Sequence, residues 1–444
     1  MPSLGAPARF RTCSGTAPFS DTAAREPAFP APSTSTALPL LEQGWRCPER
    51  RSGTHPAGNF QTPDGMFERL PVCWRRLHLL GLVALLATVY YLTWKPYQLP
   101  QLDSKSRAAK TQLLILSTWR SGSSFLGQLF NQNPEVFYLL EPTRAVWFTM
   151  PQKNPYQLHP SIRDLVKFIF SCNMSAFLPY LPKGQFISEL FGWHESRALC
   201  SPPACHAQQR SDIINRPKCN KTCLKSPFEK MEEACRSYSH VAVKEVRFLD
   251  LEVLYPLLRD PSLNLKIIHL VRDPRAILSS RQYFLELETD DAIISRGQSS
   301  SINATSVIQE ICKGQVRIYR TATQNPPTFL KDRYRMVRFE DFVKDPLANI
   351  KSLYEYVGLT MSSKLETWVY NITHGTIPEN KTFMHFTGDS KKIAQNWRGR
   401  LSFQKVKEVQ KLCRQEMHMF GYQPVSSAEE LRNMSLDFAS LKKN

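Results

Sequence analysis

Much of what characterises this chain of 444 residues is what its segments lack. Residues 1–76 contain no lysine and show no hydrophobic period, while Pro, Ser, Thr and Ala abound. Such a segment cannot bury enough apolar surface to offset the entropy of ordering, so it is expected to be a disordered tail. Leu77 to Trp94 has no Asp, Glu, Lys or Arg. The chain has no internal repeat, which excludes a solenoid. It has no Asp-x-Asp, so the manganese-holding acid pair of many glycosyltransferases is missing; the nearest approach is Asp250-Leu251-Glu252. Nor does it contain Gly-x4-Gly-Lys-Ser/Thr, which excludes the usual nucleoside triphosphatase loop with its metal-holding hydroxyl. Acid is scarce overall. Against 57 Lys and Arg stand 39 Asp and Glu, a formal charge of +18. That excess asks for an anionic partner, whether nucleic acid, membrane surface, polyanionic glycan or nucleotide, without choosing among them.

The uncharged run LHLLGLVALLATVYYLTW is long enough to choose. At ~1.5 Å per residue it spans about 27 Å, close to a hydrocarbon core of roughly 30 Å. Trp74 and Trp94 bracket it, and Tyr90 and Tyr91 lie near its far end, where amphipathic rings favour the interface. Arg75 and Arg76 precede the run and a single Lys95 follows. Positive residues stay cytosolic, so the expected topology is a type II anchor with the C-terminal part lumenal. Met66 offers an alternative start that would leave a short basic tail. Beyond the anchor lie eight cysteines: Cys172, Cys200, Cys205, Cys219, Cys223, Cys235, Cys312 and Cys413. An even count suits an oxidising compartment, with the pairing left open. A zinc site at Cys200, Cys205, Cys219 and Cys223 is disfavoured by spacers longer than those of zinc ribbons. The sequons at Asn173, Asn220, Asn303, Asn371, Asn380 and Asn433 all follow the anchor.

A polar stem over 95–110 leads into a change of pattern. Leu113 to Leu116, Val136 to Leu140, His240 to Val246, Leu265 to Val271 and Tyr334 to Phe339 read as strands. Near-continuous apolar strands alternating with helices predict an α/β fold with a parallel sheet covered on both faces. Helices are expected over Ser123 to Asn131, Pro346 to Val357 and, as one amphipathic element, Ser402 to Phe420.

Two turns carry the chemistry. In the first, Trp119, Arg120, Ser121, Gly122, Ser123, Ser124 and Phe125 stand between a strand and a helix. Free amides at such a helix start favour an anion, Gly122 admits close approach, and Arg120 with the serines adds donors. In the second, Arg272, Asp273, Pro274, Arg275, Ala276, Ile277, Leu278, Ser279 and Ser280 follow the strand that ends at Val271. Asp273 reads as N-cap and Pro274 as the first helical position. Arg272 lies at the strand's C-terminal edge, where open α/β sheets bind ligands, and Ser280 sits two turns on, able to share one phosphate with it. A lone carboxylate, Glu141, ends the strand Val136 to Leu140. Partial burial would raise its pKa and suit it as a general base. His269, inside an apolar strand, and His374 are weaker candidates.

WRSGSSF and VRDPRAILSSR resemble the 5′-phosphosulfate and 3′-phosphate motifs of the Golgi carbohydrate sulfotransferases. The resemblance runs from about Leu113 to Tyr422. SRALCSPPAC (Ser196–Cys205), CRSYSHVAVKEVRF (Cys235–Phe248) and NITHG (Asn371–Gly375) are similar to the N-acetylglucosamine 6-O-sulfotransferase branch. KKIAQNWRGRL keeps Trp397 and Arg398 but lacks the sequon expected just before them. The resemblance implies a P-loop-like parallel sheet flanked by helices over 111–424, a C-terminal tail over 425–444, and 3′-phosphoadenosine 5′-phosphosulfate (PAPS) as sulfate donor with no metal. Trp119 to Phe125 would hold the 5′-phosphosulfate, Arg272 to Ser280 the 3′-phosphate. Glu141 and Arg120 would be catalytic, the base and the offset for charge on the sulfonate and leaving phosphate. The implied partners are the Golgi membrane and a glycan acceptor on a glycoprotein or proteoglycan, not nucleic acid, with a homodimer compatible. Acceptance at the 6-hydroxyl of N-acetylglucosamine is the first expectation, at galactose or N-acetylgalactosamine the second. A type II glycosyltransferase or a non-enzymatic glycan-binding protein would leave both anion loops unexplained.

Overall fold

The computed structural model describes residues 80–89, 110–183, 186, 190, 192–223, 227–282, 287–296, 304–375 and 390–439. The chain divides into two units, residues 1–98 and 99–444. Of the first, the described part is 80–89, a helix inside the apolar run and exposed along its length. Among the described residues no helix is long and apolar enough to cross a membrane. The remainder of the anchor expected over Leu77–Trp94, the tail over 1–76, all of the 95–110 stem but Lys110, and the sequons at Asn303 and Asn380 lie outside the described residues.

The second unit is built on five strands: β1 (Thr111–Leu116), β2 (Val136–Leu140), β3 (His240–Glu245), β4 (Asn264–Val271) and β5 (Tyr334–Arg338). All pair in parallel, in the order β2-β3-β1-β4-β5. Each strand predicted from its apolar run is present. The runs are continuous because both faces are covered. Successive side chains alternate between faces, so Leu114, Leu116, Val241 and Val243 enter one buried cluster while Leu113, Ile115, Ala242 and Ile268 enter the other.

The strand order fixes where a ligand can go. β1 is central; the chain leaves it toward β2 on one side and leaves β4 toward β5 on the other. Loops departing in opposite directions open a crevice above the C-terminal ends of β1 and β4. Both anion loops of the sequence, one after β1 and one after β4, therefore meet at the same crevice.

The helices that frame it include α1 (Ser123–Asn131), α2 (Pro274–Arg281), the long α3 (Ala304–Thr323), α4 (Pro346–Val357), α5 (Phe403–Leu412), α6 (Arg414–Phe420) and α7 (Ala428–Arg432). Ser402 to Phe420, expected as one helix, is two. The break falls at Cys413, whose φ −102°, ψ 19° leaves the helical region and whose sulfur is bonded to Cys312 on α3. The pairs Cys172–Cys235, Cys200–Cys219 and Cys205–Cys223 complete the bonding of the eight cysteines. The stretch after residue 424, set off above as a tail, packs back on the domain through residue 439. Arg398, 1% exposed, donates to the carbonyls of Leu431, Leu436, Glu430 and Asn433. Val425, Leu431 and the half-buried Phe438 share a cluster with Trp397, and Tyr422 bridges to Ala439.

Candidate active site

After β1 the chain turns sharply. Arg120 takes φ +68° and Gly122 φ +86°, values in the left-handed region that glycine tolerates and other residues resist. Gly122 is the N-cap of α1, and no side chain closes that helix start. The amide of Phe125 donates back to the Gly122 carbonyl at 3.1 Å, and those of Ser123 and Ser124 are left for a ligand. A Cβ on Gly122 would stand 2.4 Å from the Phe339 ring, so the loop also has no room for a larger residue. Ser121 turns away: it is fully buried, 3.0 Å from the hydroxyl of Thr118. Phe125 packs edge-on against Phe342 in the core. Trp119, Arg120, Gly122, Ser123 and Ser124 line the crevice.

After β4 the plan is the same and the outcome differs. Asp273 caps α2, accepting from the amide of Arg275 at 2.9 Å, and ion-pairs with the Arg275 guanidinium at 2.6 Å. Arg275 is fully buried and donates further to Gln410 and to the carbonyl of Gln423. Asp273, Pro274, Arg275, Ile277 and Leu278 thus serve the helix and the core, and their side chains do not line the crevice. Arg272, Ala276, Ser279 and Ser280 do. The two loops are joined. Arg272 donates to the carbonyl of Arg120 at 3.0 Å, Arg120 Nε donates to Ser280 Oγ at 3.1 Å, and Ser117 donates to the carbonyl of Leu270 at 2.8 Å. Arg272 Nε and Trp119 Nε1 are buried with no hydrogen-bond partner. Orphaned donors beside an uncapped helix start fit a polyanion.

The crevice is a cleft of 310 Å³ whose walls carry six cations, Arg120, Arg144, Lys244, Arg247, Arg272 and Arg400, against two carboxylates, Glu141 and Asp290. Glu141 stands at the end of β2, at φ +47°. Parallel pairing of β2 with β3 sets Leu140 opposite Lys244, which delivers the carboxylate to two cations. Lys244 Nζ hydrogen-bonds Glu141 Oε1, and Arg247 Nη1 donates to Oε2 at 2.9 Å. Burial pushes the Glu141 carboxyl up, as the sequence suggests, but the charges of Lys244 and Arg247 and their hydrogen bonds outweigh it and bring it down to about 2. The expectation of a raised value is therefore corrected: the carboxylate is ionised and doubly paired. Arg247 itself, 1% exposed, is held charged by Glu141, Asp290 and Glu245.

Neither histidine candidate reaches the cleft. His269 is fully buried, hydrogen-bonded to Tyr334 Oη at 2.6 Å and to Gln315, and burial lowers it to about 4. His374 stacks on Tyr370 at 4.1 Å at the exposed end of a helix. Sequence reasoning missed Lys244, Arg247, Asp290, Arg144 and Arg400, and singled out Trp397 without placing it in the cleft. The signal for Lys244 and Arg247 was present as two cations closing the apolar strand run HVAVKEVRF. The others come from separate segments that only the fold assembles.

Comparison with known proteins agrees with this geometry. Residues 110–421 match the family described as sulfotransferase domain. Human carbohydrate sulfotransferase 6 is 48% identical over 335 residues, covering 74% of this chain and 85% of that one. Human carbohydrate sulfotransferase 5 is 47% identical, covering 74% and 81%. Mouse carbohydrate sulfotransferase 4 is 43% identical, covering 74% and 86%. The chain belongs to the sulfotransferase family. Within it the chain stands among the carbohydrate sulfotransferases, as a PAPS-dependent enzyme.

Proposed function

We propose that the enzyme moves a sulfuryl group from PAPS to the 6-hydroxyl of N-acetylglucosamine on keratan-type or mucin-type chains, from a type II anchor in the Golgi membrane. The observation that carries the donor assignment is the joined pair of loops, with the uncapped start of α1 beside the orphaned Nε of Arg272. The amides of α1, with Ser123 and Ser124, would take the 5′-phosphosulfate, and Arg272 with Ser280 the 3′-phosphate. PAPS supplies the activated sulfur. Arg120, hydrogen-bonded to Ser280, lies between the two and would offset charge on the leaving phosphate.

In the transfer the acceptor oxygen forms a bond to sulfur as the sulfur–phosphate oxygen bond breaks, and the hydroxyl proton leaves to Glu141. A carboxylate held at about 2 is a weak base. It suffices if the proton moves late, when bonding to sulfur has made the hydroxyl strongly acidic, as in a loose in-line transition state. Lys244, Val246 and Arg247, which come from the branch-like stretch CRSYSHVAVKEVRF, line the cleft beside Glu141 and support the acceptor reading. The lumenal placement is supported by the charge asymmetry about Leu77–Trp94 and by four disulfides.

Labelled PAPS offered with glycans ending in N-acetylglucosamine, galactose or N-acetylgalactosamine tests the reading. Transfer to the N-acetylglucosamine set is expected. Preference for either other sugar overturns the acceptor, and turnover of a sugar nucleotide in place of PAPS overturns the reaction. Protease protection of microsomes tests topology: glycosidase-sensitive mass on the N-terminal side of the span would contradict a type II anchor.

A further inference from the structure

The transfer as proposed uses one of the two carboxylates in the cleft. The other, Asp290, belongs to the short helix Glu288–Ser295 and lines the wall near Arg247. Its side chain is 6% exposed. Its Oδ1 has no hydrogen-bond partner. The Arg247 Nη2 nearest to it is 3.6 Å away, an ion-pair distance too long for a hydrogen bond. The acids around it differ. Asp291 pairs with Arg281. Glu245 accepts from the amides of Thr143 and Val246. Glu141 is held by Lys244 and Arg247. A buried carboxylate oxygen left without a donor is costly to keep. Asp290 lines the cleft, so a ligand there is a source of donors for its carboxylate.

The ligand's chemistry follows from the charges. The donor end of the cleft takes phosphate and sulfate, which a carboxylate repels. Hydroxyl groups of a neutral sugar are the donors that remain. Arg247 touches both acids, Glu141 at 2.9 Å and Asp290 at 3.6 Å, so the two carboxylates share one cation and stand in one neighbourhood. We infer that Asp290 anchors the acceptor: its carboxylate accepts hydrogen bonds from hydroxyls of a neutral sugar and disfavours a sugar carrying an acidic group at the contacted position. The inference rests on the carbohydrate reading above and goes beyond it by naming the residue that selects the sugar.

Asp290→Asn keeps the shape and removes the charge. In the full-length enzyme it is expected to raise the acceptor KM about tenfold or more, the usual loss for a hydrogen bond to a charged group. Affinity for 3′,5′-adenosine bisphosphate should stay within about twofold. A series of deoxy acceptors, each lacking one hydroxyl, gives a second measurement, compared between the wild type and two variants. One of them should be poor for the wild type, and its deficit should shrink in Asp290→Asn and Asp290→Ala, since the two changes remove the same contact. An unchanged acceptor KM, or deoxy deficits identical in wild type and variants, overturns the role of Asp290 alone. Loss of bisphosphate binding in both variants assigns Asp290 to the scaffold and also overturns it. A wild type that binds the bisphosphate but sulfates no sugar overturns the carbohydrate reading, and the acceptor role with it.

Discussion

The loops after β1 and β4 are the same device, a buried strand running into a helix, and they handle charge in opposite ways. At the first, Gly122 caps α1 without a side chain, and the helix start stays open. At the second, Asp273 caps α2 and locks Arg275 against itself, so the helix start is already satisfied from within the chain. An anion at the first loop can use backbone amides. At the second it must use the strand-end Arg272 and the serines two turns on. One fold motif thus yields two differently equipped turns, and the residue at the N-cap decides which.

The largest expected effect lies outside both loops and calibrates them. Glu141→Gln should cut turnover per folded molecule by about 10²- to 10⁴-fold, with 3′,5′-adenosine bisphosphate bound nearly as well as by the wild type. Single-turnover transfer from PAPS measures the first and titration the second. Gln also leaves Lys244 and Arg247 short of a counter-charge, so the melting temperature should fall as well. In the wild type this group's folded value, about 2, is below its ordinary 4.5. Its contribution to stability is present above about pH 4.5 and lost as pH drops toward 2, which urea unfolding across that range would follow.

Arg120→Ala and Arg272→Ala come next. Each removes charge-assisted hydrogen bonds worth ~1.5–3 kcal/mol, so bisphosphate affinity should drop about 10- to 100-fold. Equal losses at both positions would support two comparable phosphate sites; an unchanged affinity in either variant would break the assignment of its loop. Gly122→Ala tests the open helix start. A Cβ at φ +86° and 2.4 Å from Phe339 must distort the loop, and strain of roughly 1–3 kcal/mol predicts about a tenfold loss of affinity. Adding Phe339→Ala should restore part of it, as calorimetric titration of the pair would read. The smallest effect on binding belongs to Asp273→Ala. Affinity should hold within about threefold while stability falls, by ~0.5–2 kcal/mol for the lost cap and further for the unpaired Arg275. A large loss of affinity there would erase the distinction between the loops.

These differences explain what could be read from the sequence. The five strands were legible because a sheet covered on both faces writes itself as unbroken apolar runs. The turns after β1 and β4 were legible because each is contiguous. Burial direction within a loop was not. Ser121 and Arg275 sit inside the motifs, yet the turn aims them into the protein, and nothing in their neighbours' identities says so. The place of Glu141 at the end of β2 was legible, but its electrostatics were not, because Lys244 and Arg247 are about a hundred residues away and arrive through strand register. Asp290 depends on the same assembly. The disulfide pairing likewise follows from three-dimensional proximity that spacing does not encode.

The packing of residues 425–439 has a consequence for how this enzyme can be damaged. Arg398 is satisfied by carbonyls contributed by that segment, and Trp397, its neighbour in the chain, lines the cleft. A stop codon a few residues short of Leu431 would delete nothing from the loops after β1 and β4. It would nevertheless strand a buried guanidinium one residue from the cleft wall. Late truncations, and bulky fusions placed close to residue 439, should therefore act as active-site lesions rather than as harmless trimming.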